Sequence, residues 1–194
     1  MILLIGFPKS GTLSFYHLFK KLGYKTIHWC KGGGLGNNHL FIGRTIQKNK
    51  QKGLPLLNSL TKPDAITQMD VCISKTKCYW PQLVDYKQLY YENLDAIFIL
   101  NKRDPHKILA SFKRKGLHNR LYKFNPELIE DKTDEGFINF VKKHYKDVED
   151  FFETHKNAKF ISYDIENDDI QKLSKYINIK NIDKFPIYNV SKNK

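Results

Sequence analysis

The sequence predicts an α/β fold in three layers, in which helices cover both faces of a central parallel β-sheet. Two observations lead to this prediction. Short apolar runs of strand length alternate with segments of helical periodicity along the whole chain. The chain has 194 residues and no internal repeat, which is enough for one domain with a large core. We therefore expect a single domain over residues 1–194, with ligands bound at the carboxyl ends of the strands.

In the first half of the chain, predicted strands alternate with predicted helices. Strands are assigned to runs rich in β-branched and aromatic residues, and helices to apolar residues three or four positions apart. Pro81 marks a helix start, because proline is tolerated in the first helical turn. The predicted elements are a strand over 2–6, a helix over 11–22, a strand over 25–29, a glycine loop at 32–34, a helix near 38–51, a strand near 65–73 and a helix from Pro81 to about Asn93.

The second half continues the pattern. A strand over 95–100 precedes a helix over 105–115 that has Ile108, Leu109 and Phe112 on one face. A linker then leads to a long helix, a strand and a last helix, predicted over 134–154, 158–163 and 168–177. The long helix has aromatic and aliphatic residues at helical spacing, which we interpret as core packing.

Residues 5–14 carry the most informative pattern of the chain. They join the first predicted strand to the first predicted helix and read Ile5-Gly6-Phe7-Pro8-Lys9-Ser10-Gly11-Thr12-Leu13-Ser14. A glycine-bearing loop between a strand and a helix start directs backbone N–H groups and the helix dipole at one place. This segment is therefore predicted to hold a phosphate group.

The position of the lysine decides which phosphate compound suits the loop. The loop that binds ATP or GTP follows the pattern GxxxxGK[ST], with lysine directly after the second glycine and a magnesium-binding hydroxyl next. Here Gly6 and Gly11 have the right separation, but Thr12 stands in the lysine position and the lysine is Lys9. A loop without the lysine–hydroxyl pair favours a nucleotide that is handled without a metal.

A second polar segment follows the predicted strand over 95–100. It reads Asn101-Lys102-Arg103-Asp104-Pro105 and leads into the helix that contains Ser111. Arginine occurs only at positions 44, 103, 114 and 120, which adds weight to Arg103. A guanidinium group binds phosphate oxygens through a planar fork of donors, and a serine hydroxyl adds another donor. Because Lys9 and Arg103 both follow strand ends, we expect them at the same edge of the sheet.

The two segments resemble the nucleotide-binding motifs of sulfotransferases that use 3′-phosphoadenosine 5′-phosphosulfate (PAPS), in particular a compact P-loop branch. Pro8-Lys9-Ser10-Gly11-Thr12 resembles the loop that holds the 5′-phosphosulfate. Arg103-Asp104-Pro105, with Ser111 in the following helix, resembles the segment that holds the 3′-phosphate. A weaker likeness continues in order along the chain, at 22–24, 64–70, 160–165 and 185–189.

The resemblance implies a P-loop fold and the transfer of a sulfuryl group from PAPS, without a metal, to a hydroxyl or amine of a small molecule or glycan. Lys9 is then expected to stabilise the departing phosphate oxygen. Backbone N–H groups of the loop hold the 5′-phosphate, with added donors from the Thr12 and Ser14 hydroxyls. The residues expected to bind the co-substrate are Pro8, Lys9, Ser10, Gly11, Thr12, Leu13, Ser14, Arg103 and Ser111.

Sulfuryl transfer also needs a general base to take the proton of the acceptor. Asp70, placed by the resemblance over 64–70, is the first candidate. His28 at the end of the second predicted strand is the second, and His39 beyond the glycine loop is the third. Taken singly, each has an ordinary structural alternative.

The chain also departs from the cytosolic aryl and steroid enzymes of this family. Those enzymes have an R-K-G-x-x-G segment that helps to hold the 3′-phosphate. Arg114-Lys115-Gly116 matches its start but lacks the second glycine and follows Ser111 directly, so we interpret it as a coincidence. The chain is also shorter by about a third, which leaves the acceptor less defined than the donor.

Composition sets the remaining expectations. The net charge of +13 comes mainly from lysine, and no nucleic-acid motif accompanies it, so nucleic-acid binding is not expected. No apolar run reaches the roughly 18–20 residues of a membrane span, and the apolar start is too short for a signal core.

Three cysteines without CxxC spacing indicate neither a disulfide framework nor a zinc site, which favours a reducing cytoplasm. The sequence leaves the oligomeric state open.

Two other functions remain open at this point. The chain could be an ATP-using P-loop kinase, although Thr12 in the lysine position argues against it. It could also be a catalytically inactive relative that binds a 3′-phosphorylated nucleotide without turnover. Magnesium-dependent turnover of ATP would identify the first, and binding without transfer to a broad panel of acceptors would identify the second.

Overall fold

The computed structural model describes residues 1–31 and 40–188, in which groups of one to three strands are followed by helices. The elements in chain order are β1 (Ile2–Leu4), α1 (Thr12–Lys21), β2 (Thr26–Ile27), β3 (Cys30–Lys31), β4 (Leu40–Phe41), α2 (Ile42–Gln51), β5 (Ala65–Ile66), β6 (Val71–Ser74), β7 (Lys77–Tyr79), α3 (Pro81–Val84), α4 (Tyr86–Glu92), β8 (Ile97–Lys102), α5 (Pro105–Arg114), α6 (Leu117–Phe124), a 3-10 helix (Pro126–Leu128), α7 (Asp134–Thr154), β9 (Lys159–Asp164) and a second 3-10 helix (Ile170–Lys175).

Five parallel strands form the central sheet in the order β2-β5-β1-β8-β9. Ile2 of β1 lies between Ala65 of β5 and Ile97 of β8. The pairing of β8 with β9 is the longest and runs from Ile97 to Lys102. Because the strands are parallel, the loops after β1, β8 and β9 leave the sheet side by side at one edge.

The sheet is buried on both faces, which confirms the predicted three-layer arrangement of P-loop type. Successive side chains of β1 enter different clusters: Leu3 packs into one, and Ile2 and Leu4 into the other. The first cluster contains the apolar faces of α2, α4, α5 and α7. The second contains the apolar face of α1 and the 3-10 helix Ile170–Lys175. A strand buried on both sides reads as a continuous apolar run, as residues 2–5 do.

Helix α7 has the predicted bounds and supports the start of the phosphate loop. Thr133 caps it by accepting a hydrogen bond from the Gly136 N–H at 3.0 Å. The buried His144 of this helix donates from Nε2 to the Ile5 carbonyl at 2.9 Å. The last residues of the β1 segment are therefore held by a helix that lies far away in the chain.

Five predicted elements differ from the observed ones. The strand near 65–73 is divided, because only β5 joins the sheet and β6 turns into a hairpin with β7. The helix after Pro81 is interrupted at Asp85, whose side chain binds Lys50 and Tyr79 instead of continuing a helical surface. The linker contains α6, and the last helix is of the 3-10 type. The helix predicted near 38–51 begins only at Ile42, because Leu40–Phe41 form β4 and pair with β3. The glycine loop at 32–34 and residues 38–39 lie outside the described residues.

The expectation that the cysteines form no disulfide was wrong. Cys72 and Cys78 lie directly opposite each other in the β6–β7 hairpin and are disulfide-bonded. The separation of six residues is not a CxxC spacing, and only the hairpin brings these two cysteines together. Cys30 is a free, buried thiol.

Gly43 allows a close approach of α2 to the backbone of residues 69–71, which includes Asp70. A Cβ atom at position 43 would lie 2.4 Å from the Met69 carbonyl oxygen and 2.8 Å from the Val71 nitrogen. Gly43→Ala should therefore lower the free energy of unfolding by about 1–3 kcal/mol, despite the higher helix propensity of alanine. Urea unfolding measures this, with the exposed Lys48→Ala on the same helix as the control. Equal stability of the two variants would contradict the close approach.

Across residues 1–31 and 40–188, no helix is long and apolar enough to cross a membrane.

Candidate functional site

The loop between β1 and α1 has the shape of an anion cradle. Lys9 and Gly11 both adopt the left-handed conformation, with φ of 72° and 79°. Such a φ is ordinary for glycine but unusual for lysine, so the loop conformation at Lys9 must be held by its surroundings. A Cβ on Gly11 would lie 3.0 Å from the Ile165 side chain, so the turn after β9 forms one wall of the loop.

The start of α1 offers free backbone donors. The first backbone bond of this helix runs from the Phe15 N–H to the Gly11 carbonyl at 3.0 Å, and no side chain caps the N-terminus. The N–H groups of Thr12, Leu13 and Ser14 therefore precede the helical ladder and have no acceptor in the described part of the chain. The first turn contains no acidic residue. These donors and the helix dipole suit an anion.

Asn101, near the end of β8, holds this loop through side-chain hydrogen bonds. Its Oδ1 accepts from the Gly6 N–H at 3.0 Å, and its Nδ2 donates to the Ser10 carbonyl at 3.0 Å and to Ser10 Oγ at 2.5 Å. The Ser10 hydroxyl in turn donates to the Phe7 carbonyl. Sequence reasoning missed Asn101. The available signal was an asparagine directly after an apolar run of strand length.

Lys9 is half-buried among other cations. Burial lowers the pKa of its ammonium group, Lys115, Arg114 and Arg103 lower it further, and Asp70 opposes them. Arg114 and Lys115, whose match to the R-K-G-x-x-G segment was interpreted as a coincidence, both lie within electrostatic range of Lys9. The loop therefore lies in a positive field, which favours a ligand with more than one negative charge.

Arg103 connects the strand end of β8 to the loop. Its Nη1 donates to the Lys9 carbonyl at 3.0 Å, and its buried Nε faces Glu166 at 3.6 Å, too far for a hydrogen bond. The Tyr145 hydroxyl accepts from the Arg103 N–H at 3.1 Å and donates to its carbonyl at 3.3 Å. Ser111 is buried on α5, and no hydrogen bond joins it to Arg103 among the described residues.

Asp70 is a buried carboxylate, 4% exposed, that is linked to the loop by two amides. Gln68 Nε2 donates to one of its oxygens at 3.3 Å and Gln82 Nε2 to the other at 3.2 Å. Thr12 Oγ1 donates to Gln68 Oε1 at 3.1 Å, which completes the link. Burial raises the pKa of Asp70 to about 6, although both glutamines and Lys9 act in the opposite direction. Such a group can exchange a proton near neutral pH.

His28 lies at the end of β2, within electrostatic range of Lys9. Its Nδ1 is 2.9 Å from Thr67 Oγ1, and its ring centroid is 5.5 Å from that of Tyr16. Burial, with His17 and Lys9 next, lowers the pKa of His28 to about 4, so its imidazole is neutral at physiological pH. The third candidate, His39, lies outside the described residues.

The hydroxyls of the loop have different tasks from each other. The Thr12 proton is directed at Gln68 and the Ser10 proton at Phe7, so neither is directed at a ligand. Ser14 Oγ accepts from the Tyr188 N–H at 3.1 Å, which leaves its own proton available. Pro8 is buried within the loop. The partners of Thr12 and Ser14 lie far away in the chain, so the loop sequence does not reveal these two roles.

A cavity of about 280 Å³ is formed by residues between Gln171 and Asp183, but none of the candidate site residues lines it. Within residues 1–31 and 40–188, no group of three or more His, Cys, Asp or Glu side chains could hold a metal ion. The loop after β1 and its neighbours remain the candidate active site.

The fold is a P-loop-like fold of the α/β class, and comparison with known families defines it further. The family described as sulfotransferase domain matches residues 1–123, which is more than half of the chain. The protein therefore belongs to the sulfotransferase family, and the match indicates a transferase that moves a sulfuryl group. The matched part contains the loop after β1, Asp70, Arg103 and Ser111. No curated protein matches the chain.

Proposed function

We propose that the protein transfers a sulfuryl group from PAPS to a hydroxyl or amine of a small-molecule or glycan acceptor. The observation that carries this proposal is the convergence of Lys9, the free N–H groups of α1 and Arg103 at one edge of the sheet. Their number and charge suit a nucleotide with phosphate groups at two positions. The family match supports the sulfuryl chemistry.

The loop fits the 5′-phosphosulfate end of such a nucleotide. Free N–H groups at Thr12, Leu13 and Ser14 are the donors that an anion at a helix start requires. The left-handed Gly11 keeps the backbone open where a larger residue would meet Ile165. The available proton of Ser14 adds a donor.

The second phosphate is assigned to Arg103. Its Nη1 is engaged with Lys9 and its Nε faces Glu166, while Nη2 has no acceptor among the described residues. The carboxylate of Glu166 also accepts from Lys107 at 2.8 Å and from the Asp104 N–H at 3.2 Å. These contacts fix the plane of the guanidinium, which is the condition for directed phosphate binding. Ser111, assigned to the same phosphate by resemblance, stays a proposed ligand.

Transfer to the acceptor then requires two functions of the protein. Lys9 places its positive charge beside the phosphate oxygen on which negative charge develops, in the manner of other electrostatic catalysts. Asp70 takes the proton of the attacking hydroxyl or amine, with His28 as the second candidate. A sulfuryl group carries less charge than a phosphoryl group, so this arrangement of donors serves without a metal.

Calorimetric titration with 3′,5′-ADP, the desulfated product, tests the nucleotide site. We expect the protein to bind 3′,5′-ADP more tightly than AMP, which lacks the 3′-phosphate, and more tightly than ATP with magnesium. Arg103→Ala should lower the affinity for 3′,5′-ADP by about tenfold or more, because its charge-assisted contact with the 3′-phosphate is lost. The affinity for AMP should fall much less, since AMP loses only the support that Arg103 Nη1 gives to the Lys9 carbonyl. Lys107→Ala is the matched control, since this exposed lysine shares Glu166 but does not contact the loop.

The outcomes separate the three functions. A preference for ATP with magnesium would identify a kinase, and no nucleotide binding at all would sink the proposal. Tight binding of 3′,5′-ADP without turnover of PAPS over a broad acceptor panel would identify the inactive relative.

A further inference from the structure

We propose that Asn101 is a positioning residue that fixes the shape of the 5′-phosphate loop from the end of β8. This inference rests on the proposed function, because it assigns Asn101 to the binding of one particular phosphate. Asn101 does not touch the ligand in this proposal. It acts through Gly6 and Ser10, the two residues that it holds.

The loop needs such a support because its conformation is not a relaxed one. Lys9 has a φ of 72°, a conformation that residues with a Cβ seldom adopt. One amide side chain holds both sides of Lys9: Oδ1 accepts from Gly6 and Nδ2 donates twice to Ser10. Ser10 transmits this restraint to the Phe7 carbonyl through its hydroxyl. The residues on either side of the strained lysine are therefore tied to one point.

Asparagine is well suited to this task, because its amide can accept from the Gly6 N–H and donate to the carbonyl and Oγ of Ser10. A carboxylate could not donate to Ser10, and an apolar side chain would leave the Gly6 N–H and the Ser10 carbonyl without partners. The fit is also steric. A Cβ on Gly6 would lie 2.2 Å from the Asn101 carbonyl oxygen and 2.7 Å from its Oδ1, so only glycine lets the loop reach the asparagine.

The position of Asn101 in the sheet makes the support rigid. The residue is fully buried on a strand between β1 and β9, and it pairs with Tyr163. Arg103, two residues further along, donates to the Lys9 carbonyl. The end of β8 thus holds the loop at Gly6, Lys9 and Ser10, and the same segment carries the arginine assigned to the other phosphate.

The test compares two nucleotides on one variant. Adenosine 3′-phosphate lacks the 5′-phosphate of 3′,5′-ADP, so the ratio of the two affinities reports the 5′-phosphate loop alone. In Asn101→Leu, which keeps a similar volume and adds no charge, we expect this ratio to fall by about tenfold or more. The affinity for adenosine 3′-phosphate should change little.

Asn49→Leu is the matched control. Asn49 is also a buried asparagine, and it donates to the Leu56 carbonyl at 2.8 Å and accepts from Ser59 at 3.0 Å, away from the loop. Both variants lose buried hydrogen bonds, but only Asn101→Leu should change the ratio. Asn101→Ser, which keeps a donor and an acceptor, provides the second variant if the leucine variant does not fold, and we expect an intermediate ratio.

The outcomes distinguish this inference from the proposed function. If the wild type does not prefer 3′,5′-ADP over AMP, the proposed function itself fails. If the wild type has that preference and folded Asn101 variants keep the wild-type ratio, only the positioning role of Asn101 is overturned. A reduced ratio in Asn49→Leu as well would also overturn it, because the effect would then follow general loss of stability.

Discussion

Lys9→Met should reduce sulfuryl transfer from PAPS by roughly 10²–10³-fold, while 3′,5′-ADP still binds. Under the proposed function, the ammonium group matters most when charge develops on the departing phosphate oxygen, and less in the bound product. Methionine keeps an unbranched stem of similar length, so packing in the half-buried loop is retained. The expected result is therefore a fall in kcat that is much larger than the rise in Kd.

The same change should leave the protein at least as stable as the wild type. The pKa of Lys9 is lowered by burial and by Lys115, Arg114 and Arg103, which means that its charge is unfavourable in the folded protein. Removing the charge removes this repulsion. Lys21→Met, at the exposed C-terminal end of α1, is the control for loss of a lysine as such.

Two measurements check the Lys9 prediction. The release of 3′,5′-ADP from PAPS, followed with an acceptor found in a screen of phenols, alcohols, amines and sugars, gives kcat. Calorimetry with 3′,5′-ADP gives Kd. Wild-type turnover in Lys9→Met would remove Lys9 from the chemistry, whereas complete loss of nucleotide binding would make it a binding residue.

Features that depend on local sequence could be predicted well. The bounds of α7 agree with its apolar periodicity, and β1 and α1 lie within a residue or two of the predicted strand and helix. The three-layer fold follows from the alternation of such elements, and the family follows from the loop after β1. In each case the signal lies in consecutive residues, where side-chain periodicity and backbone requirements act directly.

Features that depend on distant partners could not be predicted. The helix after Pro81 is interrupted at Asp85, where Lys50 and Tyr79 bind the carboxylate. Lys50 lies 35 residues away in the chain, so the local pattern does not reveal this contact. The disulfide depends on the β6–β7 hairpin. A sequence alone does not tell which strand leaves the sheet, so these partners emerge only in three dimensions.

The candidate site shows the same division. The glycines of the loop were enough to predict a phosphate-binding backbone, but the partners of the Thr12 and Ser14 hydroxyls are Gln68 and Tyr188, which lie far away in the chain. Asp70 was predicted by resemblance, whereas its contact with Gln82 of α3 depends on the fold and has no signal in the local sequence. The roles of these side chains in catalysis stay predictions, which variants must test.

Asp70→Asn should reduce transfer by roughly 10²–10⁴-fold and abolish its rise with pH. If Asp70 is the base, it must be ionised to take the proton of the acceptor. The pKa of about 6 then predicts that kcat/KM of the wild type increases up to pH 6 and levels off above it. His28 as the base would place the inflection near pH 4 instead, because its pKa is lowered to about 4.

A second variant connects this inflection to Lys9. The ammonium group of Lys9 lowers the pKa of Asp70, so Lys9→Met should move the inflection of the residual activity to a pH above 6. The same shift should appear in the NMR titration of the Asp70 carboxyl carbon, which needs no acceptor. An unchanged titration in Lys9→Met would show that the two groups are not coupled.

The pH dependence of stability gives an independent check on Asp70. Its ionisation should lower the free energy of unfolding as the pH rises, which is the opposite of ordinary acid denaturation. Its pKa is raised from 3.8 to about 6 by burial, so the folded protein binds this proton more tightly than the unfolded chain. The protonated Asp70 carboxyl therefore stabilises the folded protein below pH 4. This contribution to the free energy of unfolding, about 3 kcal/mol for the full shift in pKa, is lost as the pH rises to 6.

Asp70→Asn should therefore be more stable than the wild type at pH 7 and nearly equal to it at pH 4. The asparagine can keep both amide contacts if Gln82 turns its Oε1, which has no partner in the described structure, toward it. Asp85→Asn, at the other buried aspartate in the described chain, should instead lower stability at pH 7, because Lys50 loses its ion-pair partner. A gain in stability at Asp70 together with a loss of turnover is the behaviour of a carboxylate kept buried for chemistry, whereas a loss of both would make Asp70 a structural residue.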